Sequence, residues 1–341
     1  MRIARSITGF AIAALSAVGS GASTPSFVPV LQENFPDPFV LSHGAEFIAY
    51  STNDGPNVPV ATSRDLVHWS FATDASGNKL DALPRLGSWA KGGFTWAPEV
   101  LQLGNRYLLY YTASDRRKNA QCVGVAVAAD PQGPFVDSSP EPLVCQTKLG
   151  GTIDADAFRD SDGKLYLYFK NDGNRVHQRT WLWGQRLSED GLSAVGEPVE
   201  LLGDKERWKD AVIEAPTMVR GPSGYTLFYS AGFFGWNPEE GGLSPYAMGY
   251  ATCLTPLGQC KDSPDNPILH SFKDRDAGCL SGPGHQSVFE ARGRMFISFH
   301  AWAATPYCRK EGDKRVLYIA PLLWKDGKPM LGPSLRAQPG S

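Results

Sequence analysis

A polar head, a glycine turn and an aromatic-rich run recur in that order five times along this chain. The heads read Phe35-Pro-Asp37-Pro-Phe, Trp96-Ala-Pro-Glu99-Val, Ile153-Asp154-Ala-Asp156-Ala, Ile213-Glu214-Ala-Pro-Thr and Gly284-His285-Gln-Ser-Val. The turns hold Gly44, Gly104, Gly163, Gly224 and Gly293, and the runs are Phe47–Tyr50, Tyr107–Tyr111, Leu165–Phe169, Tyr225–Tyr229 and Met295–Phe299. Asp37, Glu99, Asp154, Glu214 and His285 stand 62, 55, 60 and 71 residues apart. Repetition on that scale marks stacked or radial supersecondary units.

Each step has room for about four short strands. In the second unit these are Glu99–Leu103, Tyr107–Thr112, Val123–Ala128 and a weaker one near Leu143. Helical periodicity is scarce, with Arg179–Leu187 the best candidate. The pattern predicts an all-β fold, a five-bladed β-propeller with four antiparallel strands per blade. A two-layer sandwich would leave the recurring polar head unexplained. No linker composition divides the chain, so one domain is expected over residues 27–335, with a loose tail from Arg336.

Residues 1–22 read as a signal peptide. Arg2 and Arg5 form a positive start, Ile7–Val18 an apolar stretch, and Ser20-Gly21-Ala22 a small-residue cleavage site. The apolar stretch is shorter than the ~20 residues a spanning helix needs. Cleavage leaves 31 basic against 35 acidic residues. So mild a balance argues against nucleic acid or an anionic membrane as partner and suits a neutral polymer or a small polar substrate. The expected location is outside the cell or in a periplasm.

Six cysteines in an exported chain suggest disulfides. Cys122 and Cys145 lie almost symmetrically about Pro131–Pro134, and Cys253 and Cys260 flank Thr255–Gly258. Two hairpin bridges leave Cys279 with Cys308. No pair has the spacing of a zinc site.

In a propeller the first strand of each blade lines a central channel, so the five heads converge on its mouth. Carboxylates gathered there cannot all keep ordinary pKa values. One carboxylic acid beside one carboxylate is what glycoside hydrolysis needs.

The Pro-Asp37-Pro head, the Ile-Asp154-Ala head with Asp162-Gly-Lys downstream, the Glu214-Ala-Pro-Thr head and Gly-Pro-Gly-His285 occur in this order. In this the chain resembles glycoside hydrolase family 43, five-bladed propellers that degrade arabinan and xylan, over nearly its whole mature length. The resemblance implies an inverting glycosidase with Asp37 as general base, Glu214 as general acid and Asp154 tuning and orienting. It also implies that Asp154 holds the Glu214 pKa up through like charge. The family pattern has proline after the third-blade aspartate. Here Asp156 follows two residues on and shares a face with Asp154, so both remain candidates, with register favouring Asp154.

Candidate sugar contacts are Phe35, Trp96, Glu99, Phe234, Trp236 and His285, with Trp181, Trp183 and Trp302 behind them. The resemblance further implies that His285 lies near a metal, often calcium, held through water and structural in role; no cofactor is needed for the chemistry. Asp115–Lys118 and Asp204–Arg207 are expected to be solvated loops. The expected function is hydrolysis of α-L-arabinofuranosyl or β-D-xylosyl linkages in plant cell-wall polysaccharide or its oligosaccharides. Endo-1,5-α-L-arabinanase and β-xylosidase are alternatives within the family, and a non-catalytic sugar-binding propeller is one outside it.

Overall fold

The computed structural model describes residues 26–205, 207–209, 212–236 and 243–336. The signal-peptide segment lies outside the described residues.

The first blade holds β1 (Phe39–His43), β2 (Glu46–Tyr50), β3 (Val60–Ser63) and β4 (Ser70–Phe71). The second holds β5 (Ala90–Leu103), β6 (Arg106–Asp115) and β7 (Gln121–Ala128), the third β8 (Thr152–Arg159), β9 (Leu165–Asn171), β10 (Trp181–Leu187) and β11 (Ala194–Gly203). The fourth holds β12 (Ile213–Gly221), β13 (Gly224–Ala231), β14 (Ala247–Cys253) and β15 (Cys260–Asp262). A small hairpin, β16 (Phe272–Asp274) with β17 (Gly278–Leu280), precedes the fifth blade: β18 (Gly284–Ala291), β19 (Arg294–Ala304), β20 (Lys310–Lys325) and β21 (Lys328–Leu331).

Each blade is an antiparallel meander in chain order. The second departs from four full strands: its outer edge is completed only by single bridges from Val136 to Val127 and from Val144 to Val123. The ring closes where Leu31 pairs with Leu317 in β20 and the Phe35 N–H donates to the Arg315 carbonyl. The five turn glycines all have positive φ, from 59° at Gly44 to 119° at Gly224, a region costly to a residue with a Cβ.

Five hydrophobic clusters fill the spaces between blades. Tyr107, Leu109 and Tyr111 of β6 pack toward the first blade, while Leu108 and Tyr110 of the same strand pack toward the third. Side chains alternate faces along a strand. A strand sandwiched between two neighbours is therefore apolar at every position, which is the physical content of the recurrent aromatic runs.

All three expected disulfides are present: Cys122–Cys145, Cys253–Cys260 and Cys279–Cys308. Two local expectations are corrected. Arg179–Leu187 is not helical: Trp181–Leu187 is an interior strand paired with both neighbours. The acidic ends of the two charged loops are not solvated either. Asp115 is buried and accepts the N–H groups of Arg117 and Lys118; Asp204 is buried against Arg179 and the Thr180 N–H. Among the described residues no helix is long and apolar enough to cross a membrane.

Candidate active site

Every inner strand carries the same irregularity at its head. Trp96 and Glu99 face Thr112 and Tyr110, so one extra residue is inserted relative to the partner strand. Ile153 and Asp156 face Lys170 and Tyr168, Glu214 and Thr217 face Ser230 and Phe228, and Gly284 and Ser287 face His300 and Ser298. In the first blade Phe39 faces Tyr50, and the Thr52 N–H donates to the Pro36 carbonyl. The bulged residues are Asp37, Ala97, Asp154, Ala215 and His285, with φ between 43° and 57°. A non-glycine residue in that region costs about 1–2 kcal/mol, and a bulge re-aims its side chain.

This register corrects the alignment of the five heads. Only Asp37, Asp154 and His285 occupy the bulge itself. Glu214 lies one residue before it, in register with Trp96, Ile153 and Gly284. Glu99 lies two residues after, in register with Asp156, Thr217 and Ser287.

The offset sorts the polar residues into two levels. The upper level opens on a cavity of about 470 Å³ lined by Asp37, Trp96, Asp154, Glu214, Phe234 and His285 together with Thr52, Lys170, Asp172, Asn174, Arg175 and Arg315. The lower level surrounds a channel of about 30 Å³ that Glu99 and Asp156 help to line, room for only one or two waters.

Glu99 and Asp156 form a buried carboxyl pair between blades. Both Glu99 oxygens accept the Ala157 N–H at 3.0 and 2.9 Å, and Asp156 Oδ2 accepts the Met218 N–H at 2.9 Å. Burial and each other's proximity push Glu99 well up; burial pushes Asp156 up to about 6. The pair ties the second blade to the third and the third to the fourth, below the wide cavity. Asp154 lines both spaces, whereas Asp156 and Glu99 line only the narrow channel and not the wide cavity a sugar would enter.

In the upper level, Asp37 Oδ1 lies 2.9 Å from Arg315 Nη1 and 3.3 Å from His285 Nδ1, while Oδ2 accepts the Thr52 hydroxyl at 2.5 Å. Burial alone would raise its pKa, but Arg315, His285, His300 and the Thr52 bond together hold it well below the usual carboxylate range. Glu214 Oε1 accepts the Tyr246 hydroxyl at 2.6 Å and Oε2 the Lys170 ammonium at 2.9 Å. Burial opposes ionisation of Glu214, yet Lys170, His285 and Tyr246 outweigh it and lower its pKa. Asp154 moves the other way, raised to about 6 by burial first and then by the neighbouring Glu214 charge against the opposing pull of His285. Like charge does act between the two carboxyls, but the expected rise at Glu214 is not realised: Lys170, His285 and Tyr246 outweigh it, so the Glu214 pKa is lowered while that of Asp154 is raised.

His300 Nδ1 accepts the Asp37 N–H at 3.0 Å, and burial followed by the Arg315 charge pushes the imidazole well below its usual pKa. It is therefore neutral, with its proton on Nε2.

Trp96 and Phe234 are half-exposed or exposed walls of the cavity. Phe35 is fully buried against Phe71 at 5.8 Å in the cluster between the first and fifth blades, so no sugar reaches it. Trp236 packs edge-on against Trp302, whose Nε1 donates to the Phe234 carbonyl at 2.9 Å. These two support the Phe234 segment from behind. Trp181 and Trp183 lie on β10, the latter donating to Asn171 at 3.2 Å.

Sequence reasoning missed Lys170, Arg315, Tyr246 and Thr52. Lys170 does carry a signal, as a lysine ending the otherwise apolar stretch Leu165–Phe169. Arg315 carries none, since it follows the mixed-charge run Lys310–Lys314.

Among the described residues, Asp154, Glu214 and His285 could together hold a metal ion, their ligand atoms lying within 4.8 Å of one another. Calcium takes six to eight oxygen ligands. Two carboxylates and one imidazole, with an ammonium already on Glu214, fit it poorly unless water fills most places.

The family model of glycosyl hydrolases family 43 matches residues 27–329. A xylosidase/arabinosidase of Butyrivibrio fibrisolvens is 26% identical over 320 residues, 90% of this chain and 56% of that protein, so the chain spans little more than half of that relative. An extracellular exo-α-(1→5)-L-arabinofuranosidase of Cellvibrio japonicus is 25% identical over 311 residues, covering 80% of this chain and 81% of that one. The crystal structure of a thermostable family-43 glycoside hydrolase superimposes with a TM-score of 0.75 at 29% identity, covering 92% of this chain and 98% of that one.

Proposed function

The chain belongs to glycosyl hydrolases family 43, and from that premise we propose that it is an exported, inverting glycosidase of α-L-arabinofuranosyl or β-D-xylosyl linkages. The substrate would be arabinan, arabinoxylan or xylan, or fragments of them. The observation that carries this reading is the convergence of Asp37, Asp154 and Glu214, from three different blades, on one cavity walled by Trp96 and Phe234. Aromatic walls suit the apolar faces of sugar rings.

In this reading Asp37, kept ionised by Arg315 and its neighbours, takes a proton from the attacking water. Glu214 gives a proton to the departing glycosidic oxygen. That proton is the one Asp154 holds at mildly acidic pH, passed to Glu214 across the gap of at most 4.8 Å between their ligand atoms as the bond breaks. After bond cleavage both carboxyls of the pair are ionised and Asp37 carries the proton from water, so a proton returned through solvent restores the starting state. A calcium ion near His285 belongs to the proposal as a structural element only, and no step passes through it.

Export is supported by the charged and apolar start of the chain and its three disulfides. The relative from Cellvibrio japonicus is named extracellular.

Hydrolysis of 4-nitrophenyl α-L-arabinofuranoside and β-D-xyloside by wild type beside Glu214→Gln tests the proposal. Turnover of one substrate, lost in the variant, supports it and selects the sugar. Silence on both, and on linear arabinan, leaves a sugar-binding propeller.

A further inference from the structure

Four of the five blades join hands around the site by one repeated hydrogen bond, and the third does not. In each case the residue that faces the start of the bulge, in the second strand or, for Thr52, just beyond it, accepts the bulge N–H of the next blade. Thr52 accepts from Ala97 at 2.9 Å, Thr112 from Asp154 at 3.2 Å, Ser230 from His285 at 2.8 Å and His300 from Asp37 at 3.0 Å. The corresponding position in the third blade is Lys170, opposite Ile153. An ammonium has no lone pair to offer. The Ala215 N–H is received by Asp154 Oδ2 at 3.1 Å instead, and Lys170 Nζ reaches Glu214 Oε2 at 2.9 Å.

Lys170 is fully buried. A buried ammonium is costly unless it is paired and hydrogen-bonded. Blade packing supplies no reason for one here, because threonine fills the same place in two sister blades. The exception coincides with the one junction where two site carboxyls meet.

We propose that Lys170 is a positioning residue for the acid half of the reaction: by vacating the ring hydrogen bond it docks Asp154 on the Ala215 amide, and its ammonium fixes the Glu214 carboxyl from the side opposite Tyr246 Oη. The proposal rests on the glycoside hydrolase reading above. It treats the lysine as acting through Glu214 and Asp154, without touching the substrate. With both oxygens held by donors, Glu214 keeps one orientation toward the leaving group. Threonine at 170 would restore the ring bond, release Asp154 from Ala215 and leave Glu214 with Tyr246 alone.

The test compares wild type, Lys170→Thr and Lys170→Met on two glycosides of the sugar that wild type cleaves. One carries a 2,4-dinitrophenyl leaving group, which departs without a proton; the other carries an alkyl or sugar leaving group, which needs one. Thermal unfolding monitors the fold, and Lys170→Thr is expected to melt with wild type because the sister blades tolerate threonine. The expected result is a kcat on the unactivated glycoside about 10- to 100-fold below wild type, a much smaller loss on the dinitrophenyl glycoside, and a KM within about threefold. Equal losses on both substrates, or none, would overturn the role of Lys170. If Lys170→Thr does not fold, Lys170→Met is read by the same criterion. Wild type silent on arabinofuranosides, on xylosides and on linear arabinan would instead bring down the hydrolase reading, and this proposal with it.

Discussion

Arg315 Nη1 stands 2.9 Å from Asp37 Oδ1, joining the closing strand of the ring to the bulge of its first blade. This contact lets a buried carboxylate stay charged beside two histidines. Replacing Arg315 by Met removes the nearest cation. With Asp37 as the proposed base, the acid-side fall of kcat/KM in wild type is expected to lie below the ordinary carboxylate range, because the Asp37 pKa is depressed. In Arg315→Met that fall is expected to move up by about 1–3 pH units, as a pH–rate profile from pH 3 to 7 would reveal.

On the alkaline side the proposed proton source is shifted in the other direction. Asp154 is raised to about 6, so the proton it holds is lost as pH climbs through that value. Wild-type kcat/KM is expected to decline above about pH 6. Asp154→Asn cannot titrate there. The variant should show a flattened alkaline limb and a kcat about 10²-fold lower; an unchanged limb would assign it to another group.

Gly284 is required by its neighbour. A Cβ at this position would stand 2.2 Å from Tyr246 Cε1, and Tyr246 is the residue that holds Glu214 Oε1. Gly284→Ala is expected to destabilise the fold by about 1–3 kcal/mol and to depress activity through displacement of Tyr246. Comparison with Tyr246→Phe, which removes the hydroxyl without overpacking, separates the two effects.

Glu99 and Asp156 predict a pH-dependent stability unconnected with catalysis. The folded pKa of Asp156 is raised to about 6 against an ordinary 3.8. Between those values the folded protein holds a proton that the unfolded chain has released, so stability falls as pH rises through the window. Wild type is expected to melt higher at pH 5 than at pH 7.5. Glu99→Gln, which keeps a hydrogen atom between the two side chains at all pH values, should reduce that slope and be more stable than wild type at pH 7.5 by about 2 kcal/mol. Melting curves at the two pH values decide it.

Much of the architecture was legible in the chain because its causes are local. Gly44 and its four counterparts mark hairpin turns by their backbone freedom. Runs such as Tyr107–Tyr111 are apolar at every position because both faces of that strand are covered, and Cys253 and Cys260 face each other across one hairpin. The stretch Arg179–Leu187 misled because seven to nine residues carry too little periodicity to outweigh pairing with both neighbouring strands.

The sequence by itself determined the number of blades, the turns between their strands, the disulfide partners and the presence of a polar residue near every head. Only the tertiary structure decided which of those residues meet. One inserted residue per inner strand puts Asp37, Asp154 and His285 on the bulge, Glu214 before it and Glu99 beyond it, and that offset depends on hydrogen bonds between strands and between blades. The charges that tune the carboxyls come from farther still: Lys170 lies 44 residues from Glu214, and Arg315 lies 278 residues from Asp37. Electrostatic influence falls with distance through space, and nothing in the order of the chain records that distance until the ring has closed.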